Sequence, residues 1–286
     1  MRRLLRYELD RAFLNPWFVL AMLIGCGLAV GCAVMAYVDF TRGEAGKLVS
    51  DEWLGLSIGG CYGLWMGLGT VENPLRYVFF ILAPLLAVMP YAWSLRSDLV
   101  DGVANQVAAR VGKGRYLLFR GIAVFLTAFA VIAVPYLLNL VILACLVPAY
   151  VPDITEVLSL AVTNPSAWSA LLYTKPLLYV LVTTCANATL CGLWALVTLA
   201  VSAYIDNRVI LLVMPYVALL VWTYYGDSAL FMAAEVGGVS LSLIPTLDCV
   251  GLGTQTRTLS SYFIQGAAMA AASGASLWHQ RRRDLL

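Results

Sequence analysis

A chain of 286 residues with 62% hydrophobic and only 12% charged side chains, and a mean hydropathy of +0.85, cannot have water as its only solvent, because soluble domains carry roughly 25% charged residues. The net charge of +2 is too small to point to nucleic acid. No hydrophilic stretch exceeds about 40 residues, too few for a soluble core, so the sequence reads as one all-α membrane domain over residues 1–286.

In chain order, residues 2–14 place Leu4, Leu5, Leu9, Ala12 and Phe13 on one helical side, with Arg2, Arg6, Asp10 and Arg11 around the rest. That pattern predicts an amphipathic helix lying on a membrane surface, broken at Asn15-Pro16 before the chain turns into its first span. The apolar run Trp17–Val38 is longer than the 7–15 residues of a signal-peptide core, so it reads as a retained span. A span needs about 20 mostly apolar residues, and five further runs qualify: 75–95, 121–147, 176–204, 209–225 and 262–278. Residues 53–69 and 233–247 are apolar but broken by glycine, and read as re-entrant or interfacial helices on the outer face. Gly55, Gly59, Gly63 and Gly67 would give the first of these one bare face for close packing. Cys61 and Cys249 fall on that same side, where a disulfide is conceivable; Cys26, Cys32, Cys145, Cys185 and Cys191 sit inside apolar runs as small hydrophobes.

Orientation follows from the basic residues. Arg2, Arg3, Arg6, Arg11, Arg96, Arg110, Lys113, Arg115, Arg120, Arg208, Arg281, Arg282 and Arg283 fall on one side of a six-span arrangement; Arg42, Lys47, Arg76, Lys175 and Arg257 fall on the other. Thirteen against five puts both termini in the cytoplasm, whereas counting 53–69 as a seventh span leaves seven inside and eleven outside. The expected protein is multi-pass, in the cell membrane.

The cytoplasmic loop after the second span reads as a short helix over about 97–112, with Ser97 or Asp98 capping it and Asp101 in its first turn. Val100, Val103, Ala104, Val107 and Ala108 make an apolar stripe, and Gly112-Lys113-Gly114 ends it. A helix this short is not stable alone in water, so it must dock on lipid or on a partner. No Gly-x-x-x-x-Gly-Lys-Ser/Thr loop is present, so the chain does not hold ATP in that manner. Charged residues that would mark ion coupling do not stand convincingly mid-span, and Thr127, Asn139, Thr183, Thr184, Asn187 and Thr189 read as helix-to-helix hydrogen-bonding groups. His279, the single histidine, lies at a span end, and neither a metal cluster nor a catalytic dyad is recognisable in the sequence.

The N-terminal Tyr7-Glu8-Leu9-Asp10-Arg11 segment, the proline-bearing second span, Ser97-Asp98 with Asp101-Gly102, and Arg110-Val-Gly112-Lys-Gly-Arg115-Tyr before the third span together resemble the permease subunits of the second class of ATP-binding-cassette exporters. Asp98 and Asp101 stand where that family usually has Glu, and Gly112 where Pro is usual. The resemblance implies that residues 97–112 form a coupling helix that docks on a separate ATPase chain, with Ser97, Asp98, Asp101, Gly102, Arg110, Gly112 and Arg115 as contact candidates. It also implies a translocation path between this chain and a second permease copy, lined from the second and fifth helices by Pro84, Pro90, Tyr91, Met214, Pro215 and Tyr216. ATP and magnesium would belong to the partner ATPase, and this chain would carry no cofactor and no enzymatic activity. Two alternatives stay open: a scaffold or immunity-type membrane protein of similar fold that transports nothing, and a channel or secondary transporter.

Overall fold

The computed structural model describes residues 2–42, 60–68, 73–152, 166–202, 204–205, 207–226, 242–247 and 259–282, and among these the chain is all helical. The helices are α1 (Arg2–Phe13), α2 (Pro16–Thr41), α3 (Pro74–Val88), α4 (Ser94–Val100), α5 (Val103–Val111), α6 (Lys113–Leu146), α7 (Ser169–Thr174), α8 (Pro176–Val201), α9 (Arg208–Val221), α10 (Leu243–Leu247) and α11 (Leu259–Arg282). Each expected span overlaps one or more helices. By length and composition three of them, α2, α6 and α8, can cross a membrane.

Asparagine starts three of these helices. Asn15, Asn73 and Asn207 accept a hydrogen bond from the backbone N–H two residues on, at 3.1, 3.1 and 2.9 Å. Each such cap contributes about 1 kcal/mol, and in the first two cases proline follows at the first helical position, where its missing N–H costs nothing. Asn15 does more. Its Nδ2 donates to the Pro90 carbonyl at 2.9 Å, pinning the corner between α1 and α2 to the corner between α3 and α4. Phe13 and Phe18 meet edge to face at 5.0 Å across the first corner.

The run expected at 75–95 is not one straight helix. Pro90 has no N–H to continue α3, and Ser94 N bonds back to Tyr91 O before α4 begins. α6 is the hub: it packs on α2 and α8 and also meets α1, α3, α5 and α11. It begins two turns earlier than the apolar run suggests, at Lys113, so Arg120 is a helical residue and not a loop residue. α9 touches α3 and α8, continues as a π turn over Trp222–Gly226, and leaves Val213, Met214, Val217 and Val221 exposed.

The described part of the 53–69 segment corrects the expected helix. Residues 60–68 form successive turns and not a helix, and they are almost wholly buried. Trp65 Nε1 donates to Tyr136 O at 3.1 Å, Met66 N to Asn139 Oδ1 at 3.0 Å, and Asn139 Nδ2 to Ala29 O at 2.9 Å. Non-helical backbone at this depth is tolerable because α6 supplies the partners that water would otherwise provide. Gly67 lies directly against the Trp65 ring, where a Cβ would collide, which explains one of the four spaced glycines. Arg76, counted from the sequence among the cations of the outer side, is buried in the first turn of α3; its Nε donates to Met66 O at 2.9 Å and its guanidinium lies over the Phe80 ring. Cys61 is a buried free thiol; Cys249, its conceivable partner, lies outside the described residues, as do 53–59 and 233–241. Of the 233–247 segment, the described 242–247 carry the buried turn of α10.

Candidate functional site

Where α1 lies against α4 and the start of α6, four charged side chains and two tyrosines converge. Glu8 sits at the middle of the face that α1 turns inward, between the half-buried Leu4 and Leu5 and the buried Ala12. Tyr116 and Arg120, four residues apart on α6, point the same way, and Asp98 reaches in from α4. Glu8 is 2% exposed, Asp98 1% and Arg120 0%.

The arginine is the centre of the cluster. Arg120 Nη2 lies 2.5 Å from Asp98 Oδ2, and Nη1 lies 2.6 Å from the Tyr116 hydroxyl. Nε and Nη2 each approach Glu8 Oε2 at 3.4 Å, and Nη1 reaches Ser94 O at 3.3 Å. Tyr91 donates to Glu8 Oε2 at 2.8 Å, and Tyr116 donates to Asp98 Oδ2 at 3.0 Å. From the rim, Arg11 grips Asp98 with both terminal nitrogens, at 2.9 and 2.8 Å. Two carboxylates and two guanidiniums cancel, so the buried cluster is neutral and every charged group in it has a hydrogen-bonded partner.

The electrostatics follow from that geometry. Burial alone would raise the Asp98 carboxyl, but the Arg11 hydrogen bonds and the Arg120 charge outweigh it, and the group stays ionised below its ordinary range. The Asp98 hydrogen bonds in turn push the Arg11 guanidinium further up. A buried pair of this kind adds little over a well-packed apolar core, but removing one member leaves a charge stranded, at about 3–5 kcal/mol. The cluster therefore works as a fixed joint, binding α1 to α4 and α6 with a geometry that apolar packing would not specify.

The residues singled out from sequence fall on both sides of this joint. Tyr91 and Asp98 are inside it. Ser97 is buried, and its hydroxyl donates to Asp101 Oδ2 at 3.3 Å. Neither Ser97 nor Asp98 caps a helix; both lie within α4, and Asp101 is the residue that ends it. Gly102, with φ +71°, then opens α5, and Gly112, with φ +91°, closes it and opens α6 without a side-chain cap. Between the two positive-φ glycines α5 faces outward with Val103 and Arg110 exposed, as Val100 is on α4; Arg115 is exposed beyond it. Of the stripe predicted here, Ala104 turns inward and is fully buried, while Val107 and Ala108 are half-buried.

Pro84 and Pro90 are buried; Met214 is exposed, and Pro215 and Tyr216 are half-buried. Tyr216 donates to Ile81 O at 3.0 Å, which ties α9 to α3 next to the turn where Pro84 cannot donate. The polar groups deep in the bundle do bridge helices. Asn187 donates to the Tyr136 hydroxyl at 3.1 Å and accepts from Tyr262 at 2.9 Å, and Gln265 donates to Thr246 Oγ1 at 2.6 Å. Thr127 and Thr189 bond instead within their own helices, and the buried hydroxyls of Thr183 and Thr184 have no partner among the described residues.

Glu8, Arg11, Tyr116 and Arg120 carry the joint and were not singled out as a site from sequence. The signal for Glu8 was an acid on the apolar side of an amphipathic helix; for Tyr116 and Arg120 it was their four-residue spacing. Compared with protein-family models, curated proteins and solved structures, the chain has no match.

Proposed function

We propose that this chain is the membrane-spanning half of an ATP-driven exporter, powered by a separate ATP-binding-cassette ATPase and completed by a second permease copy. In this reading all six apolar runs cross the cell membrane, and α1, α4 and α5 lie on its cytoplasmic side. The observation that carries it is α5: a short helix between two positive-φ glycines, carrying exposed Val103 and Arg110, and following directly on α4, which a charged joint fixes to α1 and α6. A helix of nine residues is marginal alone, and a rigid mount with an outward apolar and basic face is what a motor needs to push on. The contact between α3 and α9 through Tyr216 and Ile81 supports the pairing of those two helices along the path, with Met214 facing outward toward a second copy.

The test is co-purification from the protein's own membranes. ATP hydrolysis should elute with the tagged wild-type chain and be lost with Asp101→Ala plus Gly102→Pro, a pair that breaks the entry to α5. A wild-type chain that brings down no ATPase, or a variant that still does, overturns the proposal.

A further inference from the structure

A cavity of about 740 Å³ opens at the foot of α6, where that helix meets the end of α11. Lys113 and Arg115 stand at its rim, Leu117 and Leu277 form apolar floor, and Leu118 and Trp278 flank its mouth. None of the described residues lining it is acidic. Lys113 is half-buried and Arg115 exposed, so both cations remain available to a ligand.

The shape of the apolar surface beyond the mouth decides what that ligand is. Leu118, Ile122 and Leu126 are all exposed, at 59%, 36% and 39%, and their four-residue spacing lays them in one line running from the cavity along α6. α6 is long and apolar enough to cross a bilayer, and in one that exposed line would face hydrocarbon. A free inorganic anion would use the two cations and leave the floor and the line unfilled. A lipid uses all three, and tryptophan at the mouth is the side chain that favours the headgroup level.

We propose that this cavity binds an anionic phospholipid, its phosphate held by Lys113 and Arg115, its glycerol region beside Trp278, and one acyl chain along Leu118, Ile122 and Leu126. Basic pockets between helices are a recurrent way for membrane proteins to hold such headgroups. The uncapped first turn of α6 adds backbone N–H groups to the positive side of the cavity. The proposal rests on α6 crossing a bilayer and not on any exporter role, so its test contains no ATPase and the two readings fail separately.

The full chain, purified in detergent, is offered equal amounts of phosphatidylglycerol and phosphatidylcholine with identical acyl chains, and bound lipid is counted by native mass spectrometry. Two rim cations should favour the anionic lipid roughly thirtyfold. Lys113→Gln with Arg115→Gln should abolish that preference, whereas Arg110→Gln, outside the cavity lining, should keep it. Leu118→Ser leaves both cations in place and should still weaken retention, which covers a double variant that fails to fold. Equal retention of the two lipids by the wild type, an unchanged preference in the double variant, an equal loss in Arg110→Gln, or displacement of the lipid by millimolar inorganic phosphate would each overturn the proposal. The last result would mean a free-anion site.

Discussion

Glu8 and Arg120 stand 112 positions apart and share one buried site, with Nε and Nη2 of the arginine both 3.4 Å from a single carboxylate oxygen. That contact joins an amphipathic N-terminal helix to the hub helix of the bundle. The helix is therefore part of the folded domain, with a set position and rotation.

Arg120→Met should be among the most destabilising single changes in this region, because it leaves two carboxylates buried against one remaining guanidinium. The expected loss is about 3–5 kcal/mol, read as a fall in thermal unfolding temperature of the purified chain. Arg120→Lys should recover only part of it, since one ammonium cannot reach Glu8, Asp98 and the Tyr116 hydroxyl in the planar pattern that the guanidinium fits.

Glu8→Gln should act mainly on the docking of α1. Ala12, fully buried against the bundle, becomes the reporter: a cysteine placed there should be protected from a thiol reagent in the wild-type background and labelled faster in Glu8→Gln. Contacting charges couple by about 0.5–3 kcal/mol, so Glu8→Gln in an Arg120→Gln background should cost less than it does alone.

The depressed Asp98 carboxyl sets a pH dependence with a definite sign. Its stabilising contribution is fully present above the ordinary carboxylate range, about pH 4, and is lost as pH falls through the lower folded-state value. Thermal stability should show no pH dependence from this group near neutrality, where its contribution is complete, and should fall with acidification. Asp98→Asn should be less stable at neutral pH and lack that component of the acid loss.

Asn139→Leu should loosen the buried turns at residues 60–68. It strips the Met66 N–H of its acceptor in a place water does not reach, at about 1–3 kcal/mol, and removes the second donor to Ala29 O, which keeps its bond within α2. Limited proteolysis near Trp65 is the direct readout, and cleavage should accelerate in the variant.

The helices were largely readable from the sequence because a bilayer leaves few choices: apolar runs of sufficient length, broken by Asn-Pro and Gly, can only be helices. The sequence places Pro90 inside a single span over 75–95, where the chain breaks after α3, and of α5 it marks only the end at Gly112, since the one helix expected over 97–112 is split at Gly102. Burial of charge was not readable in the same way. Arg76 and Arg120 look in sequence like cations marking sidedness, because nothing local records that Met66 O or Glu8 will arrive from elsewhere to pair with them. Asp98 looked like a helix cap for the same reason. Residues 60–68 were misjudged as a helix because even glycine spacing suits both a packing face and a series of turns, and only the Trp65 and Asn139 contacts decide between them.

In the proposed exporter, α5 is the place where the motor chain docks. A photo-crosslinking amino acid at Val103, on the exposed face of α5, tests it in intact cells, with the same substitution at Val141, exposed toward the far end of α6, as control. Position 103 should form an adduct with a nucleotide-binding ATPase chain, and position 141 none. An adduct absent at 103, or equally abundant at both, would contradict it.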